Sequence, residues 1–270
     1  MGTPFITLLE PGKLETFQIG VPRASQPPSV PKAFLDAMEV REQVFVDEQN
    51  VPFENEFDPD DRRACHWIIY ASVNKTEELE VRDEDGNVVQ PRKSSTRTTP
   101  IGTIRIVPFP HAPHPKNGGS YWNGVAEGDQ PKPARTASSA KTIVPDRPTS
   151  LHDGKEPYVK VGRLCVIKEF RGNNLAGLLI KTALTWLKTN PSYFDPSITE
   201  LGLEHVGATR ESGIPKWGGL VCSHAQKQAM GIWSKWGFHA DDIMGTWWEE
   251  GIPHVGMFQR LKTVPQKIRI

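Results

Sequence analysis

The chain has 270 residues, of which 37% are hydrophobic, so it can bury a sizeable core in one or two domains. Its 32 basic residues equal its 32 acidic residues, which gives no reason to expect nucleic acid or an anionic membrane as a partner. No apolar run reaches the roughly 18 residues of a transmembrane helix, and the N-terminus lacks the pattern of a signal peptide. We therefore expect a cytoplasmic protein, monomeric or homodimeric, without a membrane or nucleic-acid partner.

The cysteines argue against a disulfide framework. Cys65, Cys165 and Cys222 are odd in number, widely spaced and free of any Cys-x-x-Cys pair. This pattern is typical of neither a disulfide-linked fold nor a zinc site. The sequence therefore predicts no metal.

Hydrophobic periodicity predicts the elements at both ends of the chain. Residues 1–31 are rich in proline and, after an apolar start at Phe5–Leu9, are predicted to form an irregular arm. Further elements are predicted in chain order as a helix over about 32–48, strands at Cys65–Val73, Ile101–Val107 and Leu220–Ser223, a helix at Ala225–Trp236, and closing strands near Gly245–Glu249 and His254–Leu261.

Two insertions interrupt this series. Residues 74–100 hold acidic and then basic residues around Asp85-Gly86, which is typical of a hairpin turn, so they predict a solvated hairpin. Residues 108–157 are rich in Pro, Gly, Ser and Lys and poor in aliphatic residues. This second composition predicts a long surface loop, dispensable for folding, that is either a lid over a site or an excursion without a role.

The most informative segment is Tyr158–Leu187. It begins as a buried strand and ends as an amphipathic helix whose apolar residues recur at spacings of three and four. Between them, residues 171–176 read Arg-Gly-Asn-Asn-Leu-Ala, where glycine and asparagine permit unusual backbone angles. Free amides at the start of the helix, the helix dipole and the Arg171 guanidinium together suit a diphosphate. The alternative is a plain strand-turn-helix junction with a surface arginine.

This segment resembles the acyl-CoA-binding motif of the GNAT superfamily of N-acyltransferases, Arg/Gln-x-x-Gly-x-Gly/Ala after a strand. Arg171 and Ala176 match the motif, and Asn174 stands where it has glycine. The resemblance implies that the backbone of the preceding strand holds pantetheine and the acyl carbonyl, and that the turn holds the pyrophosphate. The implied donor is acetyl-CoA, and its implied binding residues are Leu164, Cys165, Val166, Arg171, Gly172, Asn173, Asn174, Leu175 and Ala176.

Three further patches extend the resemblance to about residues 32–262. Residues 226–238 match the family's later helix, except that Gln226 replaces an asparagine and Trp233 replaces a tyrosine. Residues 41–67 and 250–257 are similar to the ElaA- and YjcF-like branch. The implied fold class is α/β (α+β): a single domain over 1–270 with a mostly antiparallel sheet of six or seven strands, splayed at the centre, and helices on both faces.

The resemblance implies acetyl transfer to a primary amine of a small molecule by direct attack in a ternary complex, the acceptor being an amino sugar, a polyamine or an amino acid. Two alternatives stay open: a protein or peptide amine as acceptor, and an acyl-CoA sensor without catalysis. The sensor is favoured by Trp233, since an indole is too weakly acidic to protonate the departing thiolate as the family's tyrosine does.

The candidate titrating groups are two histidines and two carboxylates. His224 is the first choice for catalysis, because a strand-end histidine before the later helix should face the cleft where the acyl thioester enters, and the pKa of an imidazole lies near neutrality. His254 is the second choice. Either histidine is otherwise a hydrogen-bonded structural residue. Glu48 and Asp58 are candidates for binding a cationic acceptor or for acting as the base, and their alternative is a carboxylate at a helix end or in a loop.

Overall fold

The computed structural model describes residues 4–129, 146–195 and 216–263. Its strands are β1 (Phe5–Leu9), β2 (Cys65–Glu78), β3 (Val81–Arg82), β4 (Val88–Gln90), β5 (Lys93–Val107), β6 (Ser120–Trp122), β7 (Val125–Ala126), β8 (Val159–Val166), β9 (Leu220–Gln226), β10 (His239–Ala240), β11 (Thr246–Glu249) and β12 (Ile252–Arg260). Its helices are α1 (Lys32–Arg41), which continues as a π-helical segment over Glu42–Glu48, then α2 (Phe53–Glu56), α3 (Leu175–Thr189) and α4 (Met230–Lys235). None of the helices in these described ranges is both long enough and apolar enough to cross a membrane.

One sheet runs through the described chain in the order β1-β2-β5-β8-β9-β12-β11-β6-β7, with β10 on β12. Its first seven strands form the mostly antiparallel sheet that the sequence predicted, which confirms the fold class. The predicted count of six or seven is too low for the whole sheet, because β6, β7 and β10 bring it to ten strands. The additional strands β6 and β7 come from the second insertion.

The sheet splays at its centre. Strands β8 and β9 are parallel and pair at only two positions, Val159 with Val221 and Lys160 with Cys222. Beyond these pairs the two strands diverge, and their carboxyl ends stand at opposite sides of an opening. This is the central gap that the sequence predicted.

Helices cover both faces of the sheet. Because successive residues of a strand point to opposite faces, His66 of β2 packs on Phe34 of α1, whereas Trp67 packs on Trp186 of α3. Both contacts are edge-to-face, with ring centroids 5.1 and 5.5 Å apart. The apolar stripe of α3 is buried against the sheet over Leu179, Ile180, Ala183, Leu184 and Leu187.

The N-terminal arm is irregular beyond its first strand, as predicted, but it belongs to the core. Strand β1 pairs antiparallel with β2 along its whole length. Leu14 and Phe17 are buried in one cluster with Phe34 of α1. The arm therefore supplies apolar side chains that the face of α1 requires for its own burial.

The first insertion is the predicted hairpin, since β2 and β5 extend into it and pair as far as Glu78 with Lys93. Gly86 closes its tip with φ +86° and donates its amide N–H to the Asp83 carbonyl. The side chains of residues 76–97 are almost all exposed.

The described parts of the second insertion, residues 108–129 and 146–157, have little regular structure, as predicted, but they pack on the sheet and are not a free surface loop; residues 130–145 lie outside the described residues. Strand β6 pairs in parallel with β11, and the side chains of His114 and His152 are buried. Their rings pack on Tyr158, with centroids 5.1 Å away in both cases, and His152 also stacks on Phe258. Composition misled here because histidines, which composition counts as polar, complete an apolar cluster.

We therefore expect the second insertion to be needed for stability. Replacing residues 112–156 by a short Gly/Ser linker uncovers Tyr158 and Phe258, each worth about 1.5–3 kcal/mol when buried. The free energy of unfolding in urea should fall by about 3 kcal/mol. The matched control replaces residues 79–92 of the exposed hairpin by Asn-Gly and should leave the urea midpoint almost unchanged. Equal midpoints for the two variants would contradict the assignment of the insertion to the core.

Candidate active site

A cleft of about 880 Å³ opens where the sheet splays. It is lined by β8, β9, the end of the π-helical segment, α2, α4 and the β11-β12 turn. Nine of the sequence-predicted site residues line it: Glu48, Asp58, Leu164, Cys165, Val166, Arg171, Ala176, His224 and His254. Of the other four, Gly172, Asn173 and Asn174 lie in the turn that leads into α3, and Leu175 is the first residue of that helix.

A bulge in β8 faces the opening. Four residues of β8, Gly162–Cys165, stand opposite three residues of β5, Thr103–Arg105, and Arg163 in this stretch has φ +47°. Arg163 and Leu164 have no partner residue in β5, and β9 has already diverged at this level. Backbone polar groups in this stretch are therefore free to bond a ligand in the cleft.

The turn after β8 has the backbone conformation that the sequence predicted. Gly172 has φ +83° and Asn174 has φ +55°, and α3 begins directly after Asn174. Asparagine tolerates this left-handed angle, so its presence in place of the motif's glycine preserves the turn. The first amides of α3 lack carbonyl partners in the preceding turn and lie at the positive end of the helix dipole.

Arg171 is less free than the sequence suggested. Its Nε–H donates to the Val166 carbonyl at 2.8 Å, and its Nη2 lies 2.8 Å from a carboxylate oxygen of Glu48. The ion pair joins the turn to the end of the π-helical segment across the cleft. Glu48 is therefore a partner of Arg171, which argues against its predicted roles as the base or as an acceptor-binding carboxylate.

Asp58 is also engaged. It accepts hydrogen bonds from Arg105 Nη1 and Nη2 at 2.8 and 2.9 Å, and Arg163 Nη2 lies 3.3 Å away. Burial opposes ionisation of Asp58, but Arg105 and Arg163 outweigh it and lower the pKa of this carboxyl. A carboxylate held ionised by two guanidinium groups is a poor base, and the prediction that it binds a cationic acceptor is not supported.

Asp58 belongs to a buried charge network beneath the cleft. Arg41, Arg105 and Arg163 face Glu56, Asp58 and Asp61, so three guanidinium groups balance three carboxylates. The network attaches the side chain of Arg163 to the loop after α1. These ion pairs explain why the bulge has Arg163 at a positive φ, a backbone conformation for which glycine would be expected.

His224 lies in the cleft wall but does not match the predicted pKa near neutrality. Burial and the nearby Lys160 lower the pKa of His224 to about 4, although Glu249 acts in the opposite direction. Its Nδ1 lies 3.1 Å from Glu249 Oε1, and its Nε2 is buried with no hydrogen-bond partner in residues 4–129, 146–195 and 216–263. Since the pKa of Glu249 is held well below its usual range, that carboxylate is ionised and His224 Nδ1 carries the hydrogen.

His254 has the geometry of an available base. Its Nδ1 lies 2.8 Å from the Ile252 carbonyl, so Nδ1 carries the hydrogen and Nε2 keeps its lone pair. The residue lines the cleft on β12, beside Gln226 of β9. This geometry favours His254 over His224 as the candidate base.

The later helix begins after the predicted start. Ala225 and Gln226 continue strand β9, and a 3-10 turn at Lys227–Ala229 precedes α4. The Gln226 side chain donates its amide N–H to Gln49 Oε1 at 2.7 Å, which joins the end of β9 to the π-helical segment. Trp233 is buried against Phe238 with ring centroids 5.1 Å apart, and its side chain also lines the cleft.

Sequence reasoning missed two glutamates at the β11-β12 turn. Glu249 holds His224, and Glu250 accepts hydrogen bonds from the Asn123 amide N–H and the Asn55 side chain. Glu250 has φ +51° before Gly251. The pair Glu249-Glu250 next to glycine is a signal that could have marked this turn as part of the site.

Comparisons with known proteins give fold-level likenesses. No protein-family model matches the chain, and a search of curated proteins finds no match. Among solved structures, an acyl-CoA N-acyltransferase from Pseudomonas aeruginosa is 15% identical over 95% of this chain and 99% of its own, with a TM-score of 0.44. Escherichia coli ElaA is 15% identical over 96% of this chain and 100% of its own, with a TM-score of 0.43.

Proposed function

We propose that the protein is an N-acetyltransferase that moves the acetyl group of acetyl-CoA to a primary amine of a small molecule. The observation that carries this proposal is the opening between β8 and β9, with a bulge on one strand and the Arg171–Ala176 turn beside it. A thioester can lie along the bulged strand in such an opening. Its diphosphate then meets the turn, where free helix amides and a positive dipole favour an anion.

The bulge suits the oxyanion of acyl transfer. Attack by an amine on a thioester places negative charge on the carbonyl oxygen, and donors fixed in advance stabilise that charge. The backbone near Arg163 and Leu164 is free of pairing to β5 and is fixed by the charge network below. We assign the oxyanion site to this stretch, close to the Leu164–Val166 position that the sequence resemblance implied.

His254 is the base in this proposal. An amine must lose a proton to attack and to complete the transfer, and the His254 Nε2 lone pair is available for that proton. The carboxylates Glu48, Asp58 and Glu250 are all engaged with other groups. Trp233 cannot protonate the departing thiolate, so the thiolate leaves unassisted or takes a proton from water.

The acceptor end of the cleft favours a small molecule over a folded protein. Glu250 bridges Asn55 of α2 and the backbone of Asn123 in the β6-β7 turn, which narrows the cleft beside His254. Side chains of the second insertion, including His111 and Tyr121, line the same end. A peptide terminus is the remaining alternative acceptor.

The activity is tested by thiol release from acetyl-CoA with a panel of amines. Amino sugars, polyamines, amino acids and a peptide with a free N-terminus are compared with a blank that lacks amine. Release above the blank with a small amine supports the proposal, and release with the peptide alone favours the peptide alternative. Binding of acetyl-CoA without release from any amine would show a sensor.

The donor site is tested separately with Arg171→Ala. The variant loses charge-assisted hydrogen bonds to Val166 and Glu48 and the cation beside the diphosphate. Since such a bond is worth about 1.5–3 kcal/mol, acetyl-CoA should bind about tenfold more weakly or worse in calorimetry. Lys168→Ala removes an exposed cation from the same turn and is the control. An unchanged affinity in Arg171→Ala would place the diphosphate elsewhere.

A further inference from the structure

A buried cluster behind the cleft joins the second insertion to the sheet. It consists of His114 from the insertion and Cys222 and His224 from β9, where one ring nitrogen of each histidine and the cysteine sulfur lie within 4.8 Å of one another. Cys222 and His224 share one face of β9 because they are two residues apart in a strand. His114 precedes Cys222 by 108 positions in the sequence, so no sequence motif links the insertion to the strand.

Hydrogen bonds determine which nitrogen of His114 is free. His152 Nε2 lies 2.9 Å from the Glu156 carbonyl and therefore carries a hydrogen, which leaves a lone pair on His152 Nδ1. His114 Nε2 lies 2.9 Å from that lone pair and must donate to it. The lone pair of His114 is consequently on Nδ1, which is buried and has no hydrogen-bond partner among the described residues.

His224 presents a second free lone pair. Its Nδ1 donates to Glu249, so its lone pair is on Nε2, which is also buried and lacks a partner in the part of the chain that the structure describes. The unpaired nitrogens of His114 and His224 and the thiol of Cys222 therefore belong to one buried cluster. An unpaired buried acceptor destabilises the fold, so this arrangement calls for an electron-pair acceptor between the three groups.

We propose that His114 Nδ1, His224 Nε2 and the Cys222 sulfur bind a zinc ion. Two imidazoles and one thiolate are ligands that Zn²⁺ prefers, and a fourth position remains for water or another ligand. Metal binding releases the thiol proton of Cys222 to solvent and leaves both histidines neutral.

The surroundings resemble the outer shell of a zinc site. Ligating histidines usually donate their second ring N–H to a carboxylate, a carbonyl or another acceptor, which fixes the ring and its tautomer. Here Glu249 accepts from His224, and His152 accepts from His114, whose Nε2 also lies 3.4 Å from Asp146. The second candidate group, His114 with Asp146 and His152, is excluded because His114 and His152 bond directly to each other at 2.9 Å.

The metal would attach the insertion to β9 next to the acceptor end of the cleft. His114 is the ligand from the insertion, and His224 is both a ligand and part of the cleft wall. The inference does not depend on acetyl transfer, because it follows from the hydrogen bonds and lone pairs of the cluster alone.

The test uses the full chain without a histidine tag. Bound metal is first removed with a chelator, and the protein is then titrated with Zn²⁺. Unbound zinc is removed by dialysis, and the zinc that remains is measured by mass spectrometry. We expect stoichiometric zinc that survives dialysis, and a Co²⁺ form with a sulfur-to-metal charge-transfer band and intense visible bands of a tetrahedral site. Cys222→Ala should abolish the charge-transfer band and weaken Zn²⁺ binding by more than about a hundredfold, because loss of an outer hydrogen-bond partner alone costs about 10- to 100-fold.

Two further variants make the result decisive. Cys65→Ala removes a buried thiol that is not part of the cluster. This variant should retain bound zinc and, in its Co²⁺ form, the charge-transfer band. Glu249→Gln keeps all three ligands and should weaken Zn²⁺ by about 10- to 100-fold. If the parent protein retains no zinc, or if Cys222→Ala and Cys65→Ala bind it equally, the cluster holds only water and the proposal is overturned.

Discussion

His254→Gln is expected to lower the rate of acetyl transfer by about 10²- to 10⁴-fold, the range for loss of a general base. Glutamine keeps a polar side chain of similar reach but has no lone pair basic enough to take the proton of an ammonium group. The deficit should shrink as the pH rises, because free amine then enters the cleft already neutral. Turnover measured from neutral to alkaline pH at saturating acetyl-CoA checks this expectation.

The matched control is His239→Gln, which changes an exposed histidine on β10. It should retain the parental rate at every pH. Acetyl-CoA affinity should be unchanged in both variants, which separates loss of the base from loss of the donor site. A parental rate and pH profile in His254→Gln would refute the assignment and leave a water relay as the base.

Local signals in the sequence were enough to predict β8, the following turn and α3. The helix is predicted from Ala176 to Leu187 and observed from Leu175 to Thr189, because its apolar stripe and its end at Asn190-Pro191 are both encoded nearby. The positive φ of Gly172 and Asn174 follows from the residue types themselves. Hence the local backbone of the proposed donor site was predictable.

The acceptor side was not predictable to the same degree, because its properties depend on distant partners. Whether His224 or His254 is available depends on Glu249 and on the Ile252 carbonyl, which are fixed only when β9, β11 and β12 pair. Glu48 likewise loses its predicted freedom to Arg171, 123 residues away. A local sequence pattern does not indicate contacts between residues that are this far apart in the sequence.

The second insertion shows a different limit. Its composition predicted a solvated loop, yet its histidines are buried against Tyr158 and Phe258. Composition treats histidine as polar, whereas a neutral imidazole packs as an aromatic ring. The burial of His114 also places it in the proposed zinc site, which spacing rules do not detect.

Asp61→Asn is expected to lower the free energy of unfolding by about 3–5 kcal/mol, the cost of breaking a buried ion pair. Asp61 accepts from Arg41 Nη1 at 2.8 Å and from Arg105 Nη1 at 2.7 Å, and it is fully buried. The amide leaves both guanidinium groups short of a negative partner in a region without solvent. Urea unfolding at neutral pH measures the loss.

The control is Glu39→Gln, which breaks the more exposed pair of Glu39 with Arg23 at 2.6 Å and should cost less than about 1 kcal/mol. The pH dependence gives a second check. Burial opposes ionisation of Asp61, but Arg41 and Arg105 outweigh it and hold its pKa below the unfolded value of about 3.9. Its contribution is therefore complete above that value and is lost as the pH falls through the folded pKa.

The parent protein should accordingly lose stability more steeply below about pH 4 than Asp61→Asn, which has no carboxyl to protonate at this position. The same variant should also weaken acetyl-CoA binding, because Arg41 and Arg105 hold Glu56 and Asp58, and these two carboxylates anchor Arg163 in the bulge. Parallel acid profiles for the two proteins, with parental acetyl-CoA affinity in the variant, would show that the network neither stabilises the fold through Asp61 nor positions the bulge.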